Sequence, residues 1–486
     1  MSELQRPNLV GGEWRAASNE AWLEVRDPAD TQSVVGEVPA MTAADIDDLY
    51  DRAADGAKTW RATSALERGT ILARAARLLA DRADEIVHDL VSEMGKTLAE
   101  AQGEVGKSAE FFEFFAAVAR LPYGELLHDA RSGTETSSRR EPLGVVLAIT
   151  PWNDPLLTPA RKLAPALIAG NAVILKPATN TPLVALHLAR ALHDAGLPPG
   201  VLGTATGRGA EVSGPLLGDP RLAAVSFTGG NEVGAALART LAGSGVRLQT
   251  ELGGKNAAVV LADADLDLAA ATIAAAGFGQ TGQRCTATSR VLADRAVAVE
   301  LIERLRVLAK SQRLGHGLDP ETTMGPAVSP EHQSDILAHL DLAVREGAVA
   351  VAGGGRPSDD RLASGCFVEA SVLDGIEPTM AIWREEVFGP VLVVRVVDGF
   401  DEAVTATNDS RYGLSAAVFT RSLESAHRFA DLADTGQVAV NLPTSGWDVH
   451  MPFGGFRESG SAFKEQGVDA LRFYTRTKTV AIRYGG

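Results

Sequence analysis

Leu143-Gly144-Val145-Val146-Leu147-Ala148-Ile149-Thr150-Pro151-Trp152-Asn153-Asp154-Pro155 is the stretch on which the reading of the fold turns. Its first seven residues have the length and β-branched content of a strand buried on both faces. The prolines that follow stop the strand where an open parallel sheet presents its loops to ligands. A helix is expected to begin near Pro155, and a second short apolar run spans 172–175. The same rhythm returns at 223–227, with a helix from Glu232, then at 248–252 and 257–261. After Arg290 it resumes through 387–397 and 416–419. Buried strands alternating with helices require a parallel, doubly wound α/β architecture. Upstream, from Thr42 to about Arg120, the pattern is helical, with Thr42/Asp45 and Ser64/Glu67 spaced as capping boxes.

The chain reads as two α/β units, one ending near Leu252 and a second running to about Phe453. The segment 473–484 reads as a polar edge strand, and with the polar stretch 132–141 it is placed to form a small bridging sheet between subunits. At 486 residues, about three domain-sized units are expected. Hydrophobic residues at 45% and charged residues at 22% allow a sizeable core and exclude a disordered chain. The net charge of −16 argues against nucleic acid and anionic membrane surfaces as partners. Two cysteines, Cys285 and Cys366, supply neither a disulfide framework nor a thiolate metal site, and the histidines show no ligand spacing, so no metal is expected. The N-terminus lacks the apolar core of a signal peptide and no run is long enough to span a bilayer, so a reducing, cytoplasmic location is expected.

Cys285 lies in Gly279-Gln280-Thr281-Gly282-Gln283-Arg284-Cys285-Thr286, a polar turn after a small-residue helix over 268–277. A structural thiol favours apolar neighbours, as Cys366 has. The glycines and adjacent Arg284 suit a thiolate. A free thiol of pKa ~8.5 needs a base or a positive field. No histidine sits in a motif-like setting, which weakens a cysteine–histidine hydrolase. Glu251, in Thr250-Glu251-Leu252-Gly253-Gly254-Lys255-Asn256, is the better carboxylate, because its glycines let backbone approach a ligand. Asn153 and Lys176 end neighbouring strands as donors. Phe227-Thr228-Gly229-Gly230-Asn231-Glu232-Val233-Gly234 is a strand, glycine turn and helix start able to hold a pyrophosphate.

In this order the pieces resemble the aldehyde dehydrogenase superfamily over essentially the whole chain. The motifs that carry the likeness are Pro151-Trp152-Asn153, Lys176-Pro177, Phe227-Thr228-Gly229, Glu251-Leu252-Gly253-Gly254-Lys255, Gly282-Gln283-Arg284-Cys285, Glu385-Glu386-Val387-Phe388-Gly389-Pro390 and Pro452-Phe453-Gly454-Gly455. The spacing of 34 positions from Glu251 to Cys285 also suits the family. The resemblance implies a Rossmann-like cofactor domain over 1–122 and 142–252, an α/β catalytic domain over 253–453, and bridging elements over 123–141 and 454–486. It implies oxidation of an aldehyde to an acid through a thioester on Cys285. Asn153 would hold the oxyanion, Glu251 would activate water, and Lys176 would assist. Thr150, Trp152, Lys176, Thr179, Gly229, Gly230, Gly234, Leu252, Glu386 and Phe388 would bind the nicotinamide cofactor, and a homodimer or homotetramer is implied.

Thr179 stands where many NAD-using relatives carry a glutamate that repels a 2′-phosphate, so NADP is expected to be accepted and preferred over NAD. Gly230 and Asn231 replace common hydroxyl residues, leaving the pyrophosphate one hydroxyl donor fewer. Arg161 stands where semialdehyde-oxidising relatives often have arginine and is expected to grip a substrate carboxylate. Asp154, seven residues earlier, is placed to pair with it. Arg284, Thr286, Ser445 and Phe453 complete the implied substrate pocket. The loop 441–450 is most similar to that of 2-oxoglutarate semialdehyde (2,5-dioxopentanoate) dehydrogenases. Succinate semialdehyde or a broad aldehyde range is the alternative, and a non-catalytic binding protein or an acyl-transferring enzyme on the same fold stands further off.

Overall fold

The computed structural model describes residue 2 and residues 4–484; the extreme ends of the 1–122 and 454–486 segments lie outside them. Two hairpins, Asn8–Val10 with Glu13–Arg15 and Trp22–Asp27 with Asp30–Pro39, precede four helices: Ala43–Ala62, Ala65–Asp81, Ala83–Met94 and Leu98–Val118. Thr42/Asp45 and Ser64/Glu67 close the expected capping boxes, and Thr97/Glu100 makes a third. Each box satisfies amides that a helix start otherwise leaves open. The helices bury Leu72, Phe112 and Phe115 in one cluster with Val146 and Leu175 of the first sheet.

That sheet has five parallel strands in the order Arg247–Glu251, Leu222–Thr228, Val145–Ile149, Ala172–Lys176, Leu202–Thr204. The strands flanking Val145–Ile149 are reached in opposite directions, so their carboxyl ends form the crevice in which such sheets bind ligands. The second sheet has seven strands in the order Val349–Ala352, Ser371–Asp374, Val391–Val397, Thr288–Asp294, Asn256–Val260, Ser415–Phe419, Gln437–Val440. All its pairings are parallel except that of the edge strand Val349–Ala352. A third, three-stranded sheet pairs Thr134–Pro142 with both Gly124–Leu127 and Thr475–Arg483. Among the described residues no helix is long and apolar enough to cross a membrane.

Three expectations need correction. The strand read over 143–149 begins at Val145, because Asn171 Oδ1 accepts from the amides of Leu143 (2.6 Å) and Gly144 (3.1 Å) and breaks the chain away from the preceding strand. The run 387–397 is strand only from Val391; Phe388 has φ 56°, a left-handed conformation no strand contains. Phe473 and Tyr474 are not strand but the end of a short helix, Ala470–Tyr474. Their rings stack edge to face and are fully buried, and polar strand begins at Thr475.

Candidate active site

A cavity of about 640 Å³ opens beyond the carboxyl ends of the first sheet's strands. The loop after Val145–Ile149 contributes Trp152, Asn153 and Asp154, and the loop after Leu222–Thr228 contributes Gly229 and Gly230. Glu251 and Leu252 come from the end of Arg247–Glu251. Arg284, Cys285 and Thr286 enter from the turn before Thr288–Asp294.

That turn is held in a strained shape. After the helix Leu266–Phe278, Gln280 and Thr281 adopt φ of 50° and 57°, a region costing non-glycine residues about 1–2 kcal/mol each. The surroundings hold them there. Gln280 N–H donates to Glu100 Oε1 (2.6 Å), Thr281 Oγ1 donates to the Gly325 carbonyl (3.0 Å), and Gln283 Nε2 donates to the Pro326 carbonyl (3.2 Å). Asn256 Nδ2 donates to the carbonyls of Cys285 and Ala287, both at 2.8 Å, tying the cysteine to the second sheet. A Cβ on Gly254 would lie 2.6 Å from the Cys285 carbonyl oxygen, so only glycine lets the two segments meet.

Burial pushes the Cys285 thiol up. The cation that pulls it down most is Arg161, not the adjacent Arg284 on which the sequence reading relied. Asn153 is buried at the cavity wall, and among the described residues its side-chain amide has no hydrogen-bond partner. Glu251 is 2% exposed, and among the described residues neither of its carboxyl oxygens has a hydrogen-bond partner. Burial and the neighbouring Glu465 push it well above the usual carboxylate range.

Glu465 comes from the C-terminal segment and is fully buried. It pairs with Lys162 and accepts from Arg161 Nη1 (3.3 Å) and Thr228 Oγ1 (3.2 Å). The two cations hold its carboxyl below the usual range. The expected Asp154–Arg161 pair does not form. Seven-residue spacing aligns two side chains only when both are helical, and the helix Leu157–Ile168 starts after Asp154. Asp154 Oδ1 instead accepts from Lys96 Nζ and Gln280 Nε2, each at 2.8 Å, and Lys96 also pairs with Glu104. Glu104 Oε1 in turn accepts from the amides of Leu156 and Leu157 at 2.9 Å, capping from a distance the helix that carries Arg161.

At another wall the rings of Trp152 and Phe388 meet edge to face at 5.3 Å. His332 lies 5.0 Å from Trp152 and shares a 2.8 Å hydrogen bond with the Phe388 carbonyl. Glu386 Oε1 accepts from the Gly254 amide (2.7 Å), and burial raises this carboxyl to about 7. Ser445 and Phe453 line the cavity as well, with Phe453 stacked 4.7 Å from the Arg161 guanidinium.

Four residues expected at the site lie outside this cavity. Gly234 packs on Leu252, where a Cβ would come within 2.6 Å. Lys176 donates to the Pro177 carbonyl (2.9 Å), its ammonium lowered to about 8 by burial. Thr179 donates to the Gly207 carbonyl (3.2 Å), and among the described residues the buried Thr150 hydroxyl has no partner. All but Gly234 sit at the carboxyl ends of Val145–Ile149 and Ala172–Lys176. Sequence reasoning missed Lys96, Glu104, Lys162, His332 and Glu465. Only Lys162, next to Arg161, carried a local hint.

Fold and site together define a two-sheet α/β frame that brings a cysteine, a buried carboxyl group and an amide to one cavity. The comparisons make this specific: residues 14–480 match the aldehyde dehydrogenase family, and the chain belongs to it. It is an oxidoreductase by that membership. An alpha-ketoglutarate semialdehyde dehydrogenase of Haloferax volcanii is 43% identical over 478 residues, covering 98% of this chain and 99% of its own. A 2,5-dioxopentanoate dehydrogenase of Saccharolobus solfataricus is 38% identical, covering 97% and 98%. The crystal structure of betaine aldehyde dehydrogenase from Staphylococcus aureus in complex with NAD+ superposes with a TM-score of 0.96 at 32% identity, covering 99% of this chain and 95% of that one.

Proposed function

We propose that this chain oxidises an acidic semialdehyde, foremost 2,5-dioxopentanoate (2-oxoglutarate semialdehyde), to the carboxylic acid with a nicotinamide cofactor. The observation that carries this is Cys285 sharing one cavity with the carboxyl of Glu251 and the amide of Asn153, both without a hydrogen-bond partner among the described residues. The names of the similar enzymes support the substrate class.

The residues present fit the cofactor. Gly230 caps the helix Asn231–Leu241 without a side-chain cap, so its first amides are free for a pyrophosphate. The Thr150 hydroxyl is buried without a partner, and Glu386 and Phe388 flank the cavity. Bound there, the nicotinamide supplies the hydride acceptor. Thr179 brings no negative charge to the adenosine end, which favours NADP.

As the S–H proton passes to the ionised Glu251 carboxylate, Cys285 Sγ bonds to the aldehyde carbon, and the Asn153 amide and the Cys285 N–H hold the resulting oxyanion; one such donor is worth about 3–4 kcal/mol. Once the carbon is oxidised, Glu251 takes a proton from the water that opens the thioester, favouring hydrolysis over transfer to a second thiol. We place the protein in a reducing cytoplasm. We assign the three-stranded sheet to a homodimer or homotetramer contact, because Leu126 is 78% exposed on one bare edge strand and Tyr484 60% exposed just past the other.

The test follows cofactor reduction with 2,5-dioxopentanoate, succinate semialdehyde and pentanal, each with NADP and NAD. Highest kcat/KM is expected for 2,5-dioxopentanoate with NADP, with turnover lost by about a thousandfold in Cys285→Ser. Preference for pentanal would overturn the substrate reading. Preference for NAD above about tenfold would overturn the cofactor reading.

A further inference from the structure

Lys96 stands between two helices, after Gly95 ends Ala83–Met94 in a left-handed conformation and before Thr97 caps Leu98–Val118. Its side chain is fully buried, and its ammonium is shared by two acids, Glu104 and Asp154, the latter at 2.8 Å. A buried ammonium is costly unless paired, so this lysine keeps its place only with its acids close. Each acid grips a wall of the cavity. Asp154 adjoins Asn153, and Glu104 Oε1 accepts from the amides of Leu156 and Leu157 at 2.9 Å. The segment that carries the Asn153 amide is thus pinned at 154 and again at 156–157 by groups that share one nitrogen. Asp154 Oδ1 also accepts from Gln280 Nε2 (2.8 Å), in the left-handed stretch that leads into Cys285. The Gln280 N–H donates to Glu100, four residues before Glu104 on the same helix. Residues so spaced share a helix face, and here that face holds the nucleophile turn and the Asn153 segment together.

We propose that Lys96 is a positioning residue: acting through Asp154, its ammonium sets the Asn153 amide in register with Cys285. This rests on the cysteine dehydrogenase reading and deepens it. Among the described residues the Asn153 side chain has no hydrogen-bond partner of its own, so its chain neighbours alone place it. Without the ammonium, Asp154 and Glu104 are two bare carboxylates close together in a buried wall. They repel, and the segment 153–157 moves with them. A donor aimed at a developing oxyanion tolerates little of this, because a misplacement of about 1 Å costs about a hundredfold in rate. Lys96 does not itself line the cavity, so its loss leaves aldehyde and cofactor their own contacts.

The experiment compares wild type, Lys96→Met, Asp154→Leu and the double variant Lys96→Met/Asp154→Asn in the full chain. Folded sites are counted by NADP binding, and the readout is the first-turnover rate of cofactor reduction per folded site at saturating 2,5-dioxopentanoate and pentanal. Lys96→Met is expected to slow that rate about a hundredfold with both aldehydes, while aldehyde KM and the NADP dissociation constant change less than about threefold. The double variant removes one bare carboxylate and keeps an acceptor for Gln280, so it is expected to regain about tenfold over Lys96→Met. Asp154→Leu leaves the Lys96–Glu104 pair intact and breaks the link to Gln280; it is expected to match Lys96→Met, and it decides the matter if Lys96→Met does not fold. Wild-type rates per folded site in either single variant, a loss confined to KM, or a double variant no faster than Lys96→Met overturns this assignment. A wild type that reduces no cofactor with either aldehyde, or a Cys285→Ser variant as fast as wild type, overturns the dehydrogenase reading instead.

Discussion

Glu251 buries a carboxyl group that has no hydrogen bond on either oxygen among the described residues and has a second carboxylate near it. Its raised pKa makes two outcomes follow from one substitution. A general base contributes roughly 10²–10⁴-fold, so Glu251→Gln is expected to cut kcat by that order, and the wild-type kcat to rise with pH above the ordinary carboxylate range. The folded group binds its proton more tightly than the unfolded one. The stability it contributes is therefore full below its unfolded pKa, near 4.5, and lost as pH rises through the folded value. Thermal melts across pH should accordingly show Glu251→Gln gaining on wild type toward alkaline pH and matching it in acid; a gap that is the same at every pH would contradict the buried, proton-holding carboxyl. Residues such as Cys285, Glu251 and Asn153 were legible because each stands in a polar or glycine-bearing turn at a strand end, where chemistry and local sequence coincide. That Glu465 rather than Asp154 would hold Arg161 was not legible, since the acid lies 304 residues away in sequence.

At the scale of elements, the site depends on close backbone approach. A Cβ on Gly253 would lie 2.2 Å from Glu386 Oε2. Gly253→Ala is expected to displace Glu386 and weaken cofactor binding by about tenfold, read by titrating the cofactor against protein fluorescence, with a smaller change in melting temperature. Strand and helix existence was legible from apolar runs and capping boxes. Element ends were not, where a distant group decides them. Asn171 sets the start of Val145–Ile149, and Glu104 caps Leu157–Ile168 from another helix. The Phe388 loop was absorbed into a strand because its valines read as β while its left-handed backbone left no trace in composition.

Across the whole molecule, the first sheet's helix and the C-terminal segment meet at Lys162 and Glu465, 303 residues apart. Removing one partner of a buried pair leaves an uncompensated charge, so Glu465→Gln is expected to cost about 3–5 kcal/mol in denaturant unfolding. Here the sign is opposite to that of Glu251. Glu465 is held low, so its contribution is present above its unfolded pKa and lost as pH falls through the folded value. No local pattern announces a contact of this span, which is why a segment read only as a bridging arm proves to supply the acid that pairs with Lys162 and Arg161 and acts on Glu251. On the ribosome, the nascent chain exposes its nucleophile long before residue 465 emerges, and until then Lys162 and Arg161 have no acid to hold them. A chain released before residue 465 therefore carries the Cys285 thiol without the buried acid that holds Lys162 and Arg161.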